Sequence, residues 1–353
     1  MTVLIAGGGV GGAATALALH QAGIPAVVLE AHASGGDDAG AFLTVMANGM
    51  AALDAIGATE AVTEASFPAL AVELVDATGT SLGRRPIAGA ARTMRRAGLY
   101  RVLQDLAVAR GIPVHHGKRL VTAVGGDDGV RVTFADGSRA EGDILVGADG
   151  IHSVTRRLID PDAPAPRHTG QHVVYGYAGG NPADVPPDTY RMIQGGRSFF
   201  GCTVPGDGRT WWFARLPAGE RPTGSWRDLV LDAVRPDSTP AAAIVAATDA
   251  AAVVGGDSFD IPTTPRWHNG RMVLVGDAAH AASPAAAQGA SMALADAVAL
   301  AGALREHPDP AFAFAAYEAK RRAETEETVA AGARLNQKVA PSDGGAPSPV
   351  HQM

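Results

Sequence analysis

The sequence predicts an α/β protein: a parallel sheet assembled from early and late segments, an inserted and mainly antiparallel β-sheet, and helices toward the C-terminus. Three observations predict it. The first 30 residues read strand, glycine-rich turn, Ala/Leu helix, strand, and a crossover of that kind implies parallel strands. Residues 171–216 read as successive short strands that hold most of the large aromatics, the texture of an antiparallel sheet. After Trp267 the buried-strand and glycine pattern returns, followed by two long alanine-rich segments.

The elements follow in order. Residues 2–6 form a buried strand, 10–21 a buried helix and 26–30 a second strand. Residues 48–56 and 98–110 read as helices. Short alternating runs fill 113–140, with Asp136-Gly137 as a hairpin turn. Residues 143–146 are another buried strand, with a helix from about Ser153. Strands at 173–177, 191–194, 198–204 and 210–215 make the inserted sheet, the last two joined by a turn at Gly206-Asp207-Gly208. Residues 272–275 are a strand, and helices cover 287–305 and 309–335. On this reading 1–70, 97–165 and 266–338 build one discontinuous nucleotide-binding unit. Residues 71–96 and 166–265 build the covering β-sheet unit, and the Pro/Gly/Ser-rich 339–353 is a disordered tail.

Composition narrows the function. The 353 residues, 46% apolar and 18% charged, suffice for about two domains with full cores. A net charge of −7 implies no basic face for nucleic acid. Arginines cluster at Arg92, Arg95 and Arg96, and again in Lys320-Arg321-Arg322, which reads as a solvated helix face. The single cysteine, Cys202, excludes a disulfide framework or cysteine zinc site within one chain and fits a reducing cytoplasm. No uninterrupted apolar run reaches the roughly 18 residues of a membrane span. The N-terminus lacks a basic segment and is broken by glycines, so it reads as strand and turn rather than an export signal. No metal-ligand set or nucleophile–base pair stands out, and oligomeric state is open.

Three motifs carry chemistry. Gly7-Gly8-Gly9-Val10-Gly11-Gly12 matches GxGxxG at Gly7, Gly9 and Gly12 between a strand and a helix, the arrangement of a Rossmann-type dinucleotide site. Glycines there allow a tight turn and close backbone approach to a pyrophosphate, and the helix that follows offers free N–H groups. Glu30 ends the next strand, where an acid can accept hydrogen bonds from a ribose diol. The second motif, Gly147-Ala148-Asp149-Gly150, also follows a buried strand, and its aspartate is equally a helix N-cap. The third is Gly276-Asp277-Ala278-Ala279-His280, followed by Pro284 and Gln288-Gly289-Ala290. Its aspartate lies at a strand's carboxyl end, where open parallel sheets bind ligands, and the next helix start favours negative charge on a bound ring. For His280 a structural role competes with a catalytic one.

In this order and spacing the three motifs resemble the group A flavoprotein monooxygenases, a family similar in fold to the aromatic-ring hydroxylases, over residues 2 to 325. The resemblance implies FAD as cofactor, with NADPH or NADH as a transient electron donor. It implies that Gly7, Gly9, Gly11 and Gly12 approach the FAD pyrophosphate and that Glu30 holds the adenosine ribose. Arg96 looks like the family arginine near the pyrophosphate, with Arg95 and Arg92 as alternatives. Asp149 looks like the acid associated with FAD and NAD(P)H, and Gly276-Asp277 like the segment that bonds the ribityl chain. Pro284, Gln288, Gly289 and Ala290 would pass along the isoalloxazine edge, and the helix from Asn48 would lie near the flavin. Two departures stand out. Ala287 occupies a position where the family often has glycine, and Asp37-Asp38 stand where an arginine is common.

The implied cycle is reduction of FAD by NAD(P)H, addition of oxygen at flavin carbon 4a, and oxygenation of an aromatic or polycyclic small molecule by the hydroperoxide. Tyr175, Tyr177, Met192, Phe199, Phe200, Trp211, Phe213 and Arg215 are the candidate substrate residues, and sheet core is the competing reading for each. His280, Tyr175 and Pro284 are the candidates nearest the reaction. Trp211-Trp212-Phe213 does not match a halogenase Trp-x-Trp-x-Ile-Pro motif. Another flavin-dependent oxidoreductase, or a flavin-binding isomerase or cyclase without net oxidation, is the alternative function.

Overall fold

The computed structural model describes residues 1–33, 40–126, 128–219 and 224–337. The expectations for Asp37-Asp38 and for the 339–353 tail therefore lie outside the described residues.

A six-stranded sheet runs in the order His268–Asn269, Met272–Leu274, Ile144–Gly147, Val3–Ala6, Ala26–Leu29, Val114–His115. All neighbours are parallel except the His268–Asn269 edge. Every residue of Val3–Ala6 and Ile144–Gly147 is buried, as central parallel strands covered on both faces require. The glycine-turn helix, Val10–Gln21, packs on Gly289–Glu306 and Arg96–Ala109. It is one of the helices covering a core that holds Leu17, Leu19, Ile144, Leu145, Leu294 and Leu300. The long helix Pro310–Gln337 packs outside Gly289–Glu306.

A seven-stranded sheet runs Val254–Asp260, Arg167–Gly179, Arg209–Pro217, Phe199–Thr203, Thr189–Gln194, Ala71–Asp76, Ser81–Pro86. It is antiparallel except where Thr189–Gln194 pairs with Ala71–Asp76. The period of two sorts its side chains. Val174, Phe200, Cys202, Trp212 and Ala214 face a second core completed by helices Trp226–Val234 and Ala241–Ala246. Tyr175, Tyr177, Trp211, Phe213 and Arg215 alternate with them and take the other face. The sequence reading has no helix in this stretch, although Ser225 and Asp228 carry a capping signal. The Ser225 hydroxyl accepts from the Asp228 N–H and donates to its carboxylate. Short helices of this kind are stabilised by the sheet beneath them, which periodicity alone does not reveal.

A small sheet of Phe42–Val45, Arg92–Arg95 and Phe67–Pro68 meets the seven-stranded one where the Thr44 and Thr93 hydroxyls bond the Tyr190 hydroxyl. Arg92–Arg95 pairs there and not with the seven-stranded sheet. A further antiparallel sheet comprises Leu120–Gly126, Gly129–Phe134 and Arg139–Gly142, with the Asp136-Gly137 turn at its hairpin. Among the described residues no helix is long and apolar enough to cross a membrane, and no group of three or more His, Cys, Asp or Glu could hold a metal ion.

Candidate active site

The first motif forms a cradle of backbone. Gly7 has φ +100°, and a Cβ on it would lie 2.5 Å from the Ala148 carbonyl oxygen. A Cβ on Gly12 would collide with the Gly7 carbonyl oxygen. Above Gly9, in contrast, a Cβ would meet nothing within 4 Å. Helix Val10–Gln21 starts there with no side-chain cap and no acid in its first turn, which leaves its N–H groups and positive dipole end for an anion. Glu30 is buried beside this turn. One carboxylate oxygen accepts from the Gly8 N–H at 2.6 Å, and the other from the His32 N–H at 2.8 Å and the His32 ring at 2.7 Å. Burial opposes its ionisation, but the His32 and Gly8 donors outweigh burial and hold the carboxyl below its ordinary 4.5. An ionised carboxylate has about four acceptor sites, so capacity remains for a ribose hydroxyl. These residues fit the diphosphate and ribose of a dinucleotide.

In the second motif Asp149 is engaged within the chain. It accepts from Ser153 Oγ at 2.5 Å, from the Val154 and Thr155 N–H groups at 2.9 and 3.0 Å, and from Thr155 Oγ1 at 3.0 Å. It thereby anchors the start of helix Val154–Ile159 and fixes Ala148 against Gly7. From that helix the buried Arg156 donates to the Ala278 carbonyl at 2.9 Å and to Ile151, tying the second motif to the third.

The third motif turns at Gly276, φ +59°, packed against Ala293; Gly11 of the first motif also faces Ala293. Asp277 is half-buried and makes no hydrogen bond or ion pair among the described residues, and Gly289 faces its carboxylate. His280 lies behind this turn in the core. Its Nε2 is 2.5 Å from Asp296, which also accepts from the Gly276 N–H at 2.9 Å and from Arg321 Nε at 2.8 Å. Arg321 is thus buried and ion-paired, a correction to the solvated-face reading of Lys320-Arg321-Arg322. Its neighbour Arg322 pairs with Glu318 and Glu326. Asp296 was not singled out from sequence, although an acid amid Met292, Leu294, Val298 and Leu300 was the available signal.

Beyond His280, Pro284 opens a short 3-10 turn and Ala287 is left-handed, φ +51°. That conformation costs a non-glycine residue roughly 1–2 kcal/mol, the physical content of an alanine standing where the resemblance leads one to expect glycine. Gln288 Oε1 receives Asn48 Nδ2 at 3.4 Å, and the Ser291 hydroxyl accepts the Met46 N–H at 3.0 Å. Gly289 and Ala290 then open helix Gly289–Glu306. These two contacts hold strand Phe42–Val45 beside the loop.

Phe42 in turn stands at the centre of the aromatic face. Its ring lies within 5.6 to 6.5 Å of those of Trp211, Phe213, Tyr177 and Tyr190. Tyr175 meets Tyr177, and Phe199 meets Phe213. Met192 packs beside Gly201, under Phe213. Phe200 belongs to the opposite face, stacked on Trp212, so it leaves the candidate set. Burial raises both phenols; Tyr177 reaches about 12 despite Arg95, so both stay protonated at neutral pH. The three alternative arginines separate. Arg92 is committed to Ser66 and Thr63, and Arg95 stacks over Tyr177 and Trp211. Arg96 is exposed beside Gly40; its backbone N–H donates to the Ala41 carbonyl, and its guanidinium makes no hydrogen bond or ion pair among the described residues. Phe42 was missed because only the tertiary fold carries it to the 175–215 strands. Tyr190 was missed because the sequence reading begins its strand at Arg191, although alternation with Met192 was the available signal.

Residues 1–331 match the family model described as FAD binding domain. The chain is 31% identical to aurachin C monooxygenase/isomerase from Stigmatella aurantiaca, over 96% of this chain and 89% of that protein. It is 31% identical to 3-amino-4-hydroxybenzoate 2-monooxygenase from Streptomyces cremeus, over 97% and 88%. Among solved structures it is similar to Klebsiella pneumoniae HpxO complexed with FAD and uric acid. That match has a TM-score of 0.89 and 27% identity, over 97% of this chain and 90% of the other.

Proposed function

The chain belongs to the group A FAD-dependent monooxygenase family, and from that premise we propose that it inserts one oxygen atom into a small aromatic or polycyclic molecule held against the aromatic face of the seven-stranded sheet. It is an oxidoreductase with FAD as cofactor and NAD(P)H as electron source. The observation that carries the substrate reading is the aromatic face itself. It is bound through Phe42 and the Met46 and Asn48 contacts to the loop that leads into helix Gly289–Glu306.

When bound, FAD supplies the redox chemistry, taking a hydride from NAD(P)H and passing an oxygen atom from O2 to the substrate. The chain's own residues do the rest. Gly7, Gly9, Gly11 and Gly12 with the first helix turn hold the pyrophosphate, Glu30 the ribose, and Arg96 adds a positive charge beside Gly40. Asp149 acts by fixing Ala148 under Gly7. Asp277 accepts from the ribityl hydroxyls. Pro284, Gln288, Gly289 and Ala290 border the ring, where the helix dipole favours developing negative charge. His280 is a positioning residue, holding Gly276 and Asp277 through Asp296. Tyr175, Tyr177, Met192, Phe199, Trp211, Phe213 and Phe42 enclose the substrate and exclude water, while the protonated Tyr175 and Tyr177 orient it by donating hydrogen bonds. A cytoplasmic setting belongs to the same reading, supported by the lone, buried Cys202.

Asp277→Ala and Glu30→Ala should each weaken FAD binding about ten- to hundredfold, the worth of one charge-assisted hydrogen bond. Fluorescence titration of apoprotein with FAD measures this, and an unchanged affinity removes the corresponding assignment. For the activity, NADH and NADPH oxidation in air is followed with an oxygen electrode across phenols and polycyclic quinones. One compound should stimulate oxygen uptake with little peroxide release. A flavin-loaded protein that takes up no oxygen, or returns it all as peroxide with every compound, would contradict the oxygenase reading.

A further inference from the structure

Among the described residues three arginines are buried: Arg156, Arg215 and Arg321. Two have partners. Arg156 donates to the Ala278 and Ile151 carbonyls, and Arg321 pairs with Asp296 and Glu324. Arg215 is only 6% exposed and its side chain makes no hydrogen bond or ion pair among the described residues; its Nη1 is wholly buried without a partner. Its guanidinium carbon lies 4.3 Å from the centre of the Phe199 ring. Along its strand Arg215 alternates with Phe213 and Trp211, so it shares the aromatic face with Tyr175 and Tyr177. Asp207, at the far end of that face, is engaged by the Trp211 indole N–H and the Arg209 backbone N–H.

We propose that Arg215 is the anion-recognition residue of the substrate pocket, and that the ring system accepted there carries a carboxylate or ionised hydroxyl oxygen that pairs with this guanidinium. The proposal rests on the substrate reading of the aromatic face given above. Burial lowers Arg215 only to about 10, so it enters the pocket as a cation at neutral pH. A buried, unpaired charge is strongly unfavourable, and truncation of one partner is costly for the same reason. A planar five-donor fork over an aromatic ring is the arrangement that matches a flat anion bidentately. The missing partner is therefore supplied with the ligand. The aromatic rings enclose its apolar part, and the oxygen anion sits at the Phe199 end.

The test uses the FAD-loaded protein and matched probes: benzoate, 4-hydroxybenzoate and 2-naphthoate against their methyl esters. Binding is read from flavin absorbance changes and tryptophan fluorescence. The acids should bind at least about tenfold tighter than the esters in the wild type, the scale of one charge-assisted pair. Arg215→Gln should bring acids and esters within about twofold of each other, Arg215→Lys should retain part of the preference, and ester affinity should not move. Arg215→Met should raise the Tm of the ligand-free protein, because it removes an uncompensated charge, whereas a structural arginine would lower it. The proposal is overturned if no acid binds, if the preference survives Arg215→Gln, if the Tm of Arg215→Met falls, or if Arg215→Gln loses FAD, which would assign the guanidinium to the cofactor. An acid preference that Arg215→Gln removes, in a protein that never consumes oxygen, would support the anion site and defeat only the oxygenase reading.

Discussion

Asp296→Ala should destabilise the chain by about 3–5 kcal/mol, the cost of removing one partner from a buried ion pair. Asp296 is completely buried and serves three donors: the Gly276 N–H, the His280 ring and the Arg321 guanidinium. Alanine leaves Arg321 with only the half-exposed Glu324 and leaves His280 and Gly276 without an acceptor. Denaturant unfolding should show a lower midpoint at an unchanged slope, and FAD retention should fall with it because Gly276 sets the Asp277 turn. A loss under about 1 kcal/mol would mean the network relaxes onto solvent, against its burial.

The same network predicts a pH optimum for stability. For His280 burial favours the neutral ring, but Asp296 outweighs burial and raises the ring above 6.5. That contribution is complete below 6.5 and is lost as pH rises through the raised value. For Asp296 burial favours the neutral acid, but His280 and Arg321 outweigh it and hold the carboxyl below 3.8. That contribution is complete above 3.8 and is lost as pH falls through the lowered value. These are two ends of one pair, so Tm should peak between them and decline on both sides, and Asp296→Ala should flatten the profile.

Gly12→Val and Gly9→Ala should both abolish or sharply reduce FAD retention, by opposite routes. At Gly12 the added atoms strike the Gly7 carbonyl and come within 3.3 Å of the Ala148 side chain, so the turn and helix must separate. Overpacking of that kind costs typically 1–3 kcal/mol, so both Tm and flavin content should drop. At Gly9 the chain leaves the space open, so alanine should leave the Tm of the apoprotein unchanged while weakening FAD about tenfold or more by occupying the pyrophosphate's place. Thermal melts with and without FAD separate the two. Full flavin affinity in Gly9→Ala would show that no phosphate lies against that glycine.

Much of the architecture is local enough to read from residues alone. The Gly7–Gly12 turn, the helix over Val10–Gln21 and the strand Ala26–Leu29 fall where buried-strand texture and glycine placement put them. Asp149 was legible as either a helix cap or a cofactor acid, and its four contacts with Ser153, Val154 and Thr155 show where its oxygens are spent. Alternation assigned Tyr175 with Tyr177 and Trp211 with Phe213 to shared faces, yet it could not say which face meets the helices. That is why Phe200 entered the candidate set and then left it. Arg321 was misread because a cluster of basic residues looks alike in sequence whether it meets solvent or a buried aspartate.

By itself, then, the sequence determined the strand, glycine turn, helix and strand of the first 30 residues, because these depend on residues a few positions apart and on backbone rules that hold in any context. The family was carried by the resemblance of three motifs spread from residue 7 to 290. Only the tertiary structure decided that Phe42 completes the aromatic face and that Asp296 joins His280 to Arg321. It alone decided that Arg215 is left as a buried cation without a partner. Those pairings span 16 to 171 positions of chain. Their energetics depend on burial and on what else is near, quantities that exist only once the chain has folded.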